Sequence, residues 1–147
     1  MRLITIAMIC VLLAACGGPS VGPEEELRQW IAAAEAAAED LDRRGLVAMV
    51  SENYTDARGN DRAQVDKILR FYFLRQKSVA LVMKIDELSV IDETAAEILV
   101  TAAGVGTTTR ALGINADAYQ FALELEKDDD EWLLIGARWG ELGQELH

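Results

Sequence analysis

The chain opens on an apolar run, Leu3 to Leu13, of about 11 residues behind the positive charge of Arg2. That length falls within the roughly 7–15 residues of an export signal, short of the ~20 that a spanning helix needs. Gly17 to Pro23 (GGPSVGP) has no periodicity and predicts a linker. From Pro23 the pattern turns helical, with Leu27, Ile31, Ala34, Ala38 and Leu41 on one stripe. Proline suits the first helical position, and Glu24, Glu25 and Glu26 suit the positive end of the helix dipole. Arg43 and Arg44 fit its negative end, and Gly45 is the expected stop. Glu35, Glu39 and Asp40 read as a solvated face. A second, short helix is expected over Leu46 to Ser51, burying Leu46, Val47 and Val50, followed by an extended piece over 53–57. Gly59 marks a turn. Asn60 or Asp61 then caps a third helix, with Gln64 placed as in a capping box. It runs to about Gln76 with Val65, Ile68, Leu69, Tyr72 and Phe73 inward. Phe71 and Leu74 widen that face, so this end of the helix is predicted to be deeply buried.

The period then drops to two. Val79, Leu81, Met83 and Ile85 alternate with Ala80, Val82, Lys84 and Asp86, which predicts a strand. Further strands are expected over Thr94 to Ala103, Ala118 to Lys127 and Glu131 to Trp139. The short links at 92–93 and 128–130 require antiparallel neighbours. The link Gly104 to Asp117 is long for a hairpin. Its glycines lack the lysine of a phosphate loop.

Small residues and a cysteine follow the first apolar run directly. Leu13-Ala14-Ala15-Cys16 resembles the lipobox of bacterial lipoproteins. The resemblance implies cleavage after residue 15, lipid on the Cys16 sulfur and durable anchoring, because two or more acyl chains hold a bilayer where one does so only marginally. Gly17 in place of Asp implies the outer membrane, periplasmic face. The expected organisation is therefore a signal peptide over 1–15, a lipidated Cys16 with flexible linker over 16–23, and one domain over 24–147. Fully extended, the linker spans about 25 Å, which keeps the domain close to the bilayer.

Composition narrows the chemistry. The formal net charge is −11 over 147 residues, which disfavours nucleic acid as a partner. Cys10 leaves with the signal and Cys16 carries lipid, so the mature domain has neither disulfide nor thiol nucleophile. His147 is the only histidine. No histidine triad, metal site or cofactor is implied. Arg62, Lys67, Arg70, Arg75 and Lys77 concentrate positive charge in one region, either as a solvated helix flank or as a surface for an acidic partner.

Helices followed by a meander of antiparallel strands define an α+β class, with the helices covering one apolar sheet face. The stretch SENYTDARGNDRAQVDKILRFYF (Ser51 to Phe73) and the closing EWLLIGARW resemble small NTF2-like (cystatin-like) bacterial domains. That resemblance implies a curved sheet and helices forming a cone with an apolar pocket. Tyr54, Tyr72 and Tyr119 are candidates to point hydroxyls into it, or are core aromatics. Arg138, beside Trp139, is a candidate anion clamp or a surface ion pair. Asp56 and Asp86 are the nearest candidate bases, although Asp56 adjoins a turn and Asp86 shares its strand face with Lys84. No carboxylate aligns with an isomerase base. Three functions follow in order: a non-catalytic envelope lipoprotein binding a small apolar ligand or an envelope protein; a pocket enzyme of isomerase or dehydratase type using acid–base chemistry; and a structural homodimer.

Overall fold

The computed structural model describes residues 20–108 and 114–147. The signal segment and Cys16 lie outside the described residues, as does the middle of the 104–117 link. Helix α1 (Pro23–Glu39) begins with proline in its first turn beside three glutamates, as its sequence predicts. It does not end on Gly45. Asp40 closes the helix, Leu41 N–H donates to the Ala38 carbonyl (3.1 Å) and Asp42 N–H donates to that of Ala37 (2.8 Å). These two bonds make a Schellman stop with Leu41 in the left-handed region at φ 54°. Gly45 instead lies inside α2 (Arg43–Ala48), where its N–H donates to the capping Asp42 carboxylate at 3.0 Å. The second helix therefore starts earlier than its apolar residues suggest.

The segment after α2 runs beside the last strand before α3 (Arg62–Phe73) begins. The α3 cap is as predicted, with the Asp61 carboxylate accepting the Gln64 N–H at 2.8 Å. Four strands follow: β1 (Gln76–Asp92), β2 (Ala95–Thr108), β3 (Ile114–Asp128) and β4 (Glu131–Glu141). They form one antiparallel sheet in the order β1-β2-β3-β4. β2 and β3 extend further than their apolar alternation does, pairing out to Thr107 and Ile114. Backbone pairing needs no side chain, so the glycines that end the pattern do not end the ladder. β1 also runs six residues beyond Asp86. A bulge between Ile85 and Glu87 shifts the inward phase from Leu81, Met83 and Ile85 to Leu88 and Val90. Such bulges bend and twist a sheet, and the helices pack on the concave side.

The core lies between α1 and that side. Leu27 and Ile31 meet Ile98, Val100, Leu123, Leu125 and Trp132, all buried. Two indoles fasten the start of α1 to the β3–β4 hairpin. Trp30 Nε1 donates to the Trp132 carbonyl, and Trp132 Nε1 donates to Glu26, which also pairs with Lys127 at 2.8 Å. Of the expected solvated face of α1, Asp40 is exposed, and the reading is corrected for Glu35 and Glu39. Glu35 accepts the Met83 N–H (2.7 Å) and Glu39 accepts that of Leu81 (3.0 Å), so these carboxylates occupy the open edge of β1. The expected deep burial of the end of α3 is corrected too. No residue of α3 is buried; Phe71 is 58% and Leu74 73% exposed. The helix makes scant backbone contact with β1, and its last turn overhangs the sheet. Among the described residues no helix is long and apolar enough to cross a membrane.

Candidate functional site

A cone-shaped cavity of about 380 Å³ opens between the helices and the concave face of the sheet. Its size falls within the ~300–1,000 Å³ typical of small-ligand sites. α1 contributes Trp30, Ala34 and Ala38; the alanines keep the helix from filling the space. α3 contributes Val65, Ile68 and Leu69 on its inward stripe, and the strands contribute Leu81, Met83, Phe121, Leu134 and Trp139. Phe121 and Trp139 stack at 6.4 Å between ring centroids. Arg58 places its guanidinium 4.4 Å from the Trp139 ring centroid.

The polar part of the wall comes from the segment between α2 and α3. Ser51 N–H donates to the Leu134 carbonyl (2.9 Å), Thr55 N–H to that of Ile135 (3.2 Å), and Ala57 N–H to that of Ala137 (3.0 Å). This pairing along the free edge of β4 carries Tyr54 and Asp56 to the cavity wall, where they are 4% and 6% exposed. The Tyr54 hydroxyl donates to Asp56 Oδ2 at 3.3 Å. Asp56 Oδ1 also accepts the backbone N–H groups of Arg58 (2.9 Å) and Asn60 (2.8 Å). The Asn60 amide nitrogen reaches both carboxylate oxygens, at 3.2 and 3.0 Å. The carboxylate thus holds the 56–60 turn closed, as an Asp beside a glycine turn commonly does. Burial first, then the Asp56 charge and hydrogen bond, pushes the Tyr54 hydroxyl above the ordinary tyrosine range. At neutral pH it is a donor already committed to Asp56. Among the described residues no lysine, arginine or histidine lines the cavity.

Of the candidate pocket residues, Tyr54 and Trp139 line this cavity and three do not. Tyr72 is 47% exposed because it lies on the overhanging turn of α3. Tyr119 shares the inner side of β3 with Phe121, its ring centroid 6.4 Å away, but lies beyond the lining. Arg138 points to the opposite sheet face, among Glu87, Glu97 and Glu124. Strand alternation requires this, since Ala137 faces inward. Asp86 is on that outer face as well, bonded to Thr101 and Gln120 and paired with Lys84 at 3.1 Å. The centre of the outer face is therefore charged rather than apolar. Trp30 escapes the sequence reading although it stands three residues after Leu27, on the flank of the α1 stripe. Among the described residues no cluster of acidic, histidine or cysteine side chains could hold a metal ion.

No protein-family model matches the sequence, and no curated protein does. Solved structures do match. A candidate scytalone dehydratase of Novosphingobium aromaticivorans has a TM-score of 0.72 at 11% identity, over 84% of this chain and 89% of its own. A candidate dehydratase of the NTF2-like family from Streptomyces avermitilis has a TM-score of 0.71 at 10% identity, over 83% of this chain and 97% of its own. A domain with a cystatin-like fold from Nostoc punctiforme has a TM-score of 0.62 at 16% identity, over 78% of this chain and 74% of its own. The chain has the NTF2-like, or cystatin-like, fold: helices packed on a curved four-stranded antiparallel sheet. At such identities the likeness carries the fold and not the activity.

Proposed function

We propose that the chain is a lipoprotein of the bacterial cell envelope, held through lipid on Cys16 to the periplasmic face of the outer membrane, whose cone binds a small apolar ligand without transforming it. One observation carries the binding reading. The cavity wall is apolar, and the one carboxylate among the described residues that line it is committed to the loop that presents it. A general base needs a lone pair aimed at the reacting proton, and the Asp56 oxygens are occupied by N–H and O–H donors of their own segment. The test uses Trp30 and Trp139, which line the cone. A brominated long-chain alcohol should quench their fluorescence saturably at one equivalent, and Ala34→Phe, which fills the cone, should abolish the effect. Unsaturable quenching, or quenching indifferent to Ala34→Phe, counts against binding. Anchoring is tested apart, as palmitate labelling in cells that Cys16→Ser removes.

The Tyr54–Asp56 contact favours one second reading, a pocket enzyme of isomerase or dehydratase type, and two structures with similar folds carry dehydratase names. In that reading Asp56 takes a proton and Tyr54 stabilises the developing oxyanion. Asp56→Asn separates the two: a binding module keeps its ligand and loses stability, whereas an enzyme loses turnover.

A further inference from the structure

Ile68 lines two hollows at once. Inward it borders the cone. Outward it borders a surface groove of about 370 Å³ formed with Lys67, Phe71, Tyr72 and Arg75. The two hollows therefore meet at the rim that Ile68 makes on α3. Their chemistry is divided. Among the described residues the cone has no cation on its wall, while the groove has two, on a chain of net charge −11. The Arg75 guanidinium stacks 3.9 Å from the Phe71 ring centroid, which fixes a positive charge over the groove. Among the described residues Lys67 has no carboxylate partner. Ile68, Phe71 and Tyr72 are half or more exposed, or nearly so, and make the path between the hollows apolar.

From this division we infer that cone and groove form one site for a single-chain anionic amphiphile, a fatty acid. Its hydrocarbon tail enters past Ile68 into the cone, and its carboxylate rests on Lys67 and Arg75. The reading rests on the cone binding an apolar ligand and adds where the ligand carries its charge. An acid lying wholly inside would leave its carboxylate desolvated without a cation, which is costly. An acid with its head in the groove meets that cost with two cations still open to water. At interior packing density the cone holds a chain on the order of a dozen methylenes.

The test compares dodecanoate with dodecanol, both brominated in the tail and both below their aggregation concentrations. The chain from Ser20 to His147 serves, since every described element and core residue lies within it. Dodecanoate is expected to quench Trp30 and Trp139 with at least a tenfold lower Kd than dodecanol. The double variant K67E/R75E should erase that preference and leave dodecanol binding unchanged. Raising salt should weaken dodecanoate alone, a readout that needs no variant. Equal affinities, or a preference that survives both the double variant and high salt, overturn the headgroup assignment and leave the binding function standing. If neither probe binds, both fall together.

Discussion

Asp56 draws donors from a single turn: two backbone N–H groups, one amide nitrogen and one hydroxyl all converge on a carboxylate that is 6% exposed. Removing it leaves those donors, the hydroxyl buried and the others partly buried, without their acceptor. Each buried group left unsatisfied costs about 1–3 kcal/mol, and bonds to a charged acceptor are the stronger kind. Asp56→Ala should therefore lower the unfolding free energy by about 3 kcal/mol. Asp56→Asn keeps one acceptor but turns an amide N–H towards the Asn60 amide, and should cost about half as much. Tyr54→Phe deletes one long bond at 3.3 Å and leaves the ring in place, so about 1 kcal/mol or less is expected. Urea denaturation midpoints give the order directly. A residue retained for chemistry at the expense of stability would behave oppositely, its neutral replacement being silent or stabilising.

At the scale of elements, the β3–β4 turn places Asp129 at φ 45° and Asp130 at φ 65°, both exposed. Two successive left-handed residues match a type I′ turn, which favours glycine at the second position. Asp130→Gly should raise stability by about 0.5–1 kcal/mol, measured in the same denaturation series. The edge of β1 gives the converse case. Glu35 and Glu39 satisfy the Met83 and Leu81 N–H groups, and an uncovered edge invites pairing with another chain. The E35A/E39A variant should stay folded by circular dichroism yet gain light scattering on concentration. These elements also show what the sequence made legible. Periodicity located the three helices and four strands of the described residues, because burial imposes it wherever an element lies against the core. It did not reveal that Glu35 and Glu39 reach sideways to a strand more than forty residues later, because those contacts leave no local pattern. It also overrated the end of α3. Phe71, Tyr72 and Leu74 are apolar enough for a core, but the sheet does not extend beneath them. Tyr54 and Trp139 line the cone, whereas Arg138 and Tyr72 do not, since alternation along β4 turns Arg138 outward and the overhanging turn of α3 carries Tyr72 clear of the sheet.

At the scale of the whole molecule, three carboxylates, one joining distant elements, one bridging strands and one closing a hairpin, respond alike to acid. Glu26 lies below the ordinary glutamate value because Lys127 and then Trp132 donate to it. Thr101 and then Lys84 hold Asp86 low, and the Thr94 backbone N–H and hydroxyl do the same for Asp92. A carboxylate lowered in the folded state contributes stability above its unfolded pKa. That contribution is lost as pH falls through the lowered value. For Glu26 the loss begins below 4.5, and for the two aspartates below 3.8. The contribution of these three groups should therefore hold through neutral pH and be lost in acid. Glu26 is the most consequential of the three, since it joins the start of α1 to the β3–β4 hairpin, where the linker enters the domain. Glu26→Gln keeps an oxygen for the Trp132 indole and removes the ion pair. Denaturation at a series of pH values should show wild type more stable than this variant at pH 7, with the gap closing as pH falls below 4.5. A gap that stays constant across that range would mean that the side chain acts through packing alone, and that the charge at this end of the helix does not hold the helix to the sheet.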